Sequence, residues 1–133
     1  MIKKLHHVAI AVSNLDEALA TYEELFGLKA EKIEDIPDQG VKAALIPLGG
    51  GSEIELIQPV DSESGVAKFL EKKGEGIHHI ALEVEDVDQE LKSLVAKGVT
   101  LIDKEPRSGL AGRIAFLHPK STRGVLVELC QKV

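Results

Sequence analysis

Cysteine is nearly absent from this 133-residue chain, with Cys130 standing alone. One thiol excludes an intramolecular disulfide framework and a cysteine-built zinc site, and it fits a reducing, intracellular setting. Positive charge is in deficit, with 16 basic against 22 acidic side chains and a formal charge of −6. A nucleic-acid binder would carry a basic face; a net acidic chain can still hold a local basic pocket for an acidic substrate. No apolar run approaches the roughly 18 residues that signal a membrane span. The opening segment MIKKLHHVAIAV is broken by His6 and His7 and does not read as a signal peptide. The expectation is a cytoplasmic protein with neither nucleic-acid nor membrane partners.

What is present is ordinary for a soluble domain: 44% hydrophobic and 29% charged residues. A chain of this length buries roughly two-thirds of the surface it exposes when unfolded, so it folds without a disulfide or metal staple. A single domain, 1–133, is expected.

The chain repeats itself once. LHHVAIAVSNLDE at 5–17 matches IHHIALEVEDVDQ at 77–89. His7 corresponds to His79, and the same interval separates Asp16 from Asp88. A repeat of half the chain points to a duplicated supersecondary unit. In the first copy, 4–12 reads as a strand. Ser13 or Asn14 can cap a helix carrying Leu15, Leu19, Tyr22 and Phe26 at helical spacing, which stops at Gly27. Three strands follow at 28–36, 40–48 and 52–59, punctuated by Pro37–Gly40 and Gly49–Gly51. The second copy reads as strand 77–85, helix 86–97, and strands near 99–104, 111–118 and 124–131. Residues 61–76 link the two modules, 1–60 and 77–133, with a short helix over 64–73. The fold class is therefore α+β: tandem βαβββ repeats forming an open, curved, eight-stranded mixed sheet with helices outside.

Strand parity singles out four residues. Side chains alternate between faces, so His7 shares a face with Ala9 and Ala11, opposite the bulky Val8, Ile10 and Val12. His79 shares a face with Ala81 and Glu83. In the last strand of each module Glu55 and Glu128 occupy matched places inside apolar runs. An unpaired carboxylate is costly to bury, and two at matched positions call for a partner. A divalent cation on His7, Glu55, His79 and Glu128 satisfies both; this donor set suits Zn, Co, Ni, Mn or Fe(II). Taken singly, a strand histidine is more often structural and Glu55 reads as a surface residue; the repeat reverses that weighing.

The βαβββ repeat with His and Glu on first and last strands resembles the vicinal oxygen chelate, or glyoxalase-like, superfamily. The segments EKKGEGIHHIALEVEDVD, EPRSGLAGRIAFLHPKSTRGVLVEL and DSESGVAKFL are similar to those of methylmalonyl-CoA epimerases within it, from His7 to Gln131. That resemblance implies a metal-dependent isomerase that inverts methylmalonyl-CoA by losing and regaining its α-proton through an enolate. It implies a divalent metal, cobalt first, with Zn, Ni and Mn as alternatives, on His7, His79 and Glu128. The fourth ligand position, often glutamine in these epimerases, falls on Glu55. Some relatives place a catalytic glutamate shortly after a Gln-Gly pair; here Gln39-Gly40-Val41-Lys42-Ala43 puts Ala43 there. Glu128 and Glu55 are then the expected proton carriers. Coenzyme A needs cationic or amide contacts; Arg107 and Arg113, in a glycine-bearing loop, and Lys120 and Ser121 are the candidates. A homodimer is expected, since relatives pair. The alternatives are glyoxalase I, acting on a glutathione hemithioacetal with the same metal set, and a non-catalytic binding protein of the superfamily.

Overall fold

The computed structural model describes residues 1–132. Eight strands form a mixed sheet: β1 (Ile2–Ala11), β2 (Lys32–Ile36), β3 (Val41–Pro47), β4 (Glu53–Pro59), β5 (Gly76–Val84), β6 (Arg107–Gly109), β7 (Gly112–Leu117) and β8 (Val127–Gln131). Three helices accompany them: α1 (Leu15–Phe26), α2 (Gly65–Lys73) and α3 (Val87–Ala96). None of the described helices is long and apolar enough to cross a membrane. The chain forms two compact units. One holds His7–His78; the other holds Met1–His6 together with the segment from His79 onward.

In the unit His7–His78 the strand order is β2-β3-β4-β1, with β1 parallel to β4 and the other neighbours antiparallel. Asn14 caps α1 by accepting from the Glu17 N–H at 2.9 Å, and Gly27 ends it in the left-handed region at φ +69°. That cap satisfies an N–H the helix itself leaves unpaired. Ala18, Leu19 and Tyr22 of α1 pack on Val12, Ala44, Ile46 and Leu56, so the helix covers the bulky face of the sheet. The opposite face is left to His7, Ala9 and Ala11. The linking helix starts where expected, with Ser64 Oγ accepting from the Ala67 N–H at 3.1 Å.

In the other unit β5 runs parallel to β8, followed by β7 and β6 in antiparallel order. Asp86 caps α3 through the Gln89 N–H at 3.2 Å. Val87 and Leu91 of α3 pack on Val84, Ala115, Leu117 and Leu129.

Two stretches differ from the sequence expectation. The strand anticipated near 99–104 is reduced to a single bridge, Leu101 with Leu117. Ile102 and Asp103 both donate their N–H to the Phe116 carbonyl, at 3.0 and 3.2 Å, while the Asp103 carboxylate accepts from the Phe116 N–H at 2.9 Å. Two residues thus oppose one, which is a bulge, and a side chain replaces the backbone acceptor. The segment 107–113, read as a loop, is instead the β6–β7 hairpin. Its glycines are spacers: a Cβ on Gly109 would lie 2.7 Å from Ile114 Cδ1, and one on Gly112 (φ +121°) would lie 2.4 Å from the Gln131 carbonyl oxygen.

Candidate metal and acid–base centre

In the unit His7–His78, the parallel register sets His7 beside Glu53 and Ala9 beside Glu55. These side chains share the face turned away from α1. His7 and Glu55 are both buried, and His7 Nε2 lies 3.5 Å from Glu55 Oε1. Their neighbours on this face are small: Ala9 and Ala11 follow His7 along β1, and Ala43 on β3 stands across from Ile57 on the same face.

The other unit repeats the arrangement. Ala81 pairs with Glu128, and His79 Nε2 lies 3.3 Å from Glu128 Oε1, with both residues buried. Here the face is more elaborate. Phe116 pairs across the ladder with Glu128. Its ring meets the His79 imidazole edge to face, with centroids 5.1 Å apart at 89°. Edge-to-face contact orients the imidazole as well as covering it. Glu83, also buried on this face, lies 3.4 Å from Lys3 Nζ.

The donor set fits a divalent cation. Zn–N and Zn–O bonds run about 2.0–2.2 Å, so neighbouring ligands of one such ion lie about 3.0–3.5 Å apart. Both His–Glu separations fall in that range, and both exceed the usual N–H···O hydrogen-bond length of about 2.9–3.0 Å. Imidazole nitrogen with carboxylate oxygen also suits Co, Ni and Mn.

The structure thus brings together His7 with Glu55, and His79 with Glu128. The four residues picked for substrate are dispersed. Arg107 lies on the same face as His79 and Glu128, its guanidinium carbon 5.6 Å from the Phe116 ring centroid. Arg113 sits on the opposite face, bonded to Asp88 at 2.8 Å. Lys120 is exposed on the short 3₁₀ turn Pro119–Thr122. Ser121 on that turn is engaged twice with Thr100: its Oγ accepts from the N–H at 2.9 Å and donates to the carbonyl at 3.2 Å.

Sequence reasoning missed Phe116 and Asp103. Parity on β7 carried the signal for Phe116, which alternates with Ala115 to share the face of Ile114. Glu53 shares the Glu55 face by strand parity; its Oε2 is buried and makes no hydrogen bond among the described residues.

Residues 6–116 match the profile of the Glyoxalase/Bleomycin resistance protein/Dioxygenase superfamily. The chain belongs to that superfamily. Across its length it is similar to proteins named as epimerases. The ethylmalonyl-CoA/methylmalonyl-CoA epimerase of Cereibacter sphaeroides is 42% identical over 98% of this chain and 99% of its own. The methylmalonyl-CoA epimerase of Mycobacterium tuberculosis superposes with a TM-score of 0.95 at 40% identity, covering 99% of this chain and 89% of that one. A variant of the Streptomyces coelicolor methylmalonyl-CoA epimerase, solved in complex with 2-nitronate-propionyl-CoA, superposes at 0.94 with 37% identity, covering 100% and 96%. The lactoylglutathione lyase of Arabidopsis thaliana is a more distant superfamily member, 26% identical over 98% of this chain and 44% of its own. The glyoxalase-like fold expected from the repeat is therefore the fold of the chain, and these relatives named as epimerases stand nearer to it than that lyase.

Proposed function

We propose that this protein is a divalent-metal-dependent epimerase that interconverts the two configurations of methylmalonyl-CoA by removing and returning the α-proton. The observation that carries this reading is the pair of buried His–Glu couples at matched repeat positions, each on the face opposite its helix. The epimerase names of relatives near 40% identity supply the substrate class.

In this reading His7, Glu55, His79 and Glu128 hold the cation, with Co²⁺ first and Zn²⁺, Ni²⁺ or Mn²⁺ as alternatives. Bound, the cation supplies Lewis-acid stabilisation for the charge that develops on the thioester oxygen as the α-proton leaves. The rest of the chemistry belongs to the chain. Inversion needs one group to take the proton from one side of the planar carbon and another to return it on the other. Glu128 and Glu55 are assigned those roles. They lie on last strands of different repeats, and Ala43 has no proton to give. His7 and His79 stand beside Glu55 and Glu128 as the nitrogen donors, and Phe116 packs against the His79 ring. Lys120 and Ser121 are assigned to the phosphates of coenzyme A; Ser121 would first have to release the Thr100 carbonyl, and Arg113 to leave Asp88. A cytoplasmic homodimer completes the proposal.

The test is proton NMR of racemic methylmalonyl-CoA in D₂O. The reading expects rapid α-deuterium exchange that stops on chelation and returns with Co²⁺. Absence of exchange in metal-loaded protein refutes it and turns attention to the glutathione hemithioacetal used by the lyase relatives.

A further inference from the structure

The geometry points to Arg107 as the residue that recognises the free carboxylate of the acyl group, and so separates malonyl-type thioesters from neutral ones. The inference rests on the epimerase reading and adds to it the origin of acyl specificity. Arg107 pairs with Ile114 across the β6–β7 ladder, which sets it on the face of Ile114 and Phe116. Two contacts hold its side chain there, one of them through an anchored Asp103. Asp103 Oδ2 is anchored by the Phe116 N–H at 2.9 Å, and Asp103 Oδ1 stands 3.2 Å from Arg107 Nε. The guanidinium lies over the Phe116 ring at 5.6 Å. The same ring is edge-on to His79. One aromatic side chain therefore joins the arginine to the proposed reacting centre.

This arrangement leaves the outer edge of the guanidinium available. Asp103 stands at Nε, and among the described residues the two terminal nitrogens make no hydrogen bond. A planar fork held in this way accepts a carboxylate through two parallel hydrogen bonds. Charge points the same way. The two charges of the proposed cation are matched by Glu55 and Glu128, and the face also carries Glu83, so a substrate bearing its own carboxylate calls for a further positive group there. Arg113 is committed to Asp88 on the other face, and Lys3 lies beside Glu83. The phosphates of coenzyme A sit at the far end of the pantetheine arm from the thioester, away from a residue that stacks on the His79 neighbour.

The test compares methylmalonyl-CoA, propionyl-CoA and free coenzyme A with wild type, Arg107→Gln and Arg107→Lys. Calorimetry gives binding, and α-proton exchange in D₂O gives kcat and KM. Losing a charge-assisted pair predicts a KM for methylmalonyl-CoA raised about 10- to 100-fold in Arg107→Gln, partly recovered in Arg107→Lys. Binding of propionyl-CoA and coenzyme A should stay within about twofold of wild type, which also shows that the variant is folded. Equal weakening toward all three ligands overturns the inference and assigns Arg107 to the coenzyme; no change toward any of them overturns it too. Should Arg107→Gln fail to fold, Asp103→Asn, which loosens the arginine, must still raise KM for methylmalonyl-CoA alone. If wild type exchanges no methylmalonyl-CoA protons, the epimerase reading itself falls, a result distinct from these.

Discussion

Glu55 and Glu128 each sit in an apolar strand with a histidine at 3.3–3.5 Å, and their chemistry is separable from their burial. Replacing either by glutamine keeps the shape and a ligating oxygen while removing the ability to carry a proton. Glu128→Gln is expected to slow α-proton exchange by about 10²- to 10⁴-fold, the usual worth of a positioned acid–base group. Glu55→Gln tests the two-glutamate scheme most sharply: it should retain bound metal, measured by elemental analysis, yet lose inversion, measured by circular dichroism of the product. Full turnover in Glu55→Gln would remove that residue from proton transfer. At this scale the sequence was informative because duplication repeats His7 as His79 and Glu55 as Glu128. Asp103 and Phe116 have no repeat partner that marks them, and Asp103 acts through a backbone N–H that only the folded ladder supplies.

Among the elements, the β6–β7 hairpin carries the largest consequence for the site. The sequence reads this segment as a glycine-bearing loop; in the fold Gly109 and Gly112 are positions where a side chain cannot fit. Gly112 holds φ at +121° with its missing Cβ directed at the Gln131 carbonyl, at the end of the strand that bears Glu128. Gly112→Ala should cost about 1–3 kcal/mol from backbone conformation alone, and more once β8 must move. The measurement is the urea midpoint, with wild-type stability in the variant as the refuting result. The expected strand near 99–104 fails for a related reason. A strand is expected there, but Asp103 competes for the Phe116 N–H and Pro106 has no N–H to offer the ladder. The start of α1 was legible because its cap is chemical: Asn14 accepts the bond that starts the helix, and in the fold Ser64 and Asp86 do the same for α2 and α3.

For the whole molecule, a cation shared by ligands from both repeat halves would bind the native chain and not the unfolded one. Metal at a hundredfold excess over its Kd then stabilises by about 2.7 kcal/mol, on the order of 10 °C in Tm for a chain of this size. Chelation should lower Tm by that order and Co²⁺ should restore it in scanning calorimetry. His7→Ala and His79→Ala should each abolish the response. A Tm indifferent to chelator in all three proteins would leave the paired histidines structural.

The division of β1 has a consequence for the order in which the protein is made. Met1–His6 belongs with the unit formed from His79 onward, where the Met1 amine pairs with Glu90 and Lys3 lies 3.4 Å from Glu83. Residues Met1–His6 are therefore made well before the neighbours they pack with. A nascent chain can assemble His7–His78 while Met1–His6 wait for β5 and α3 to be synthesised. Lys3 and Lys4 keep that waiting segment charged and soluble in the interval.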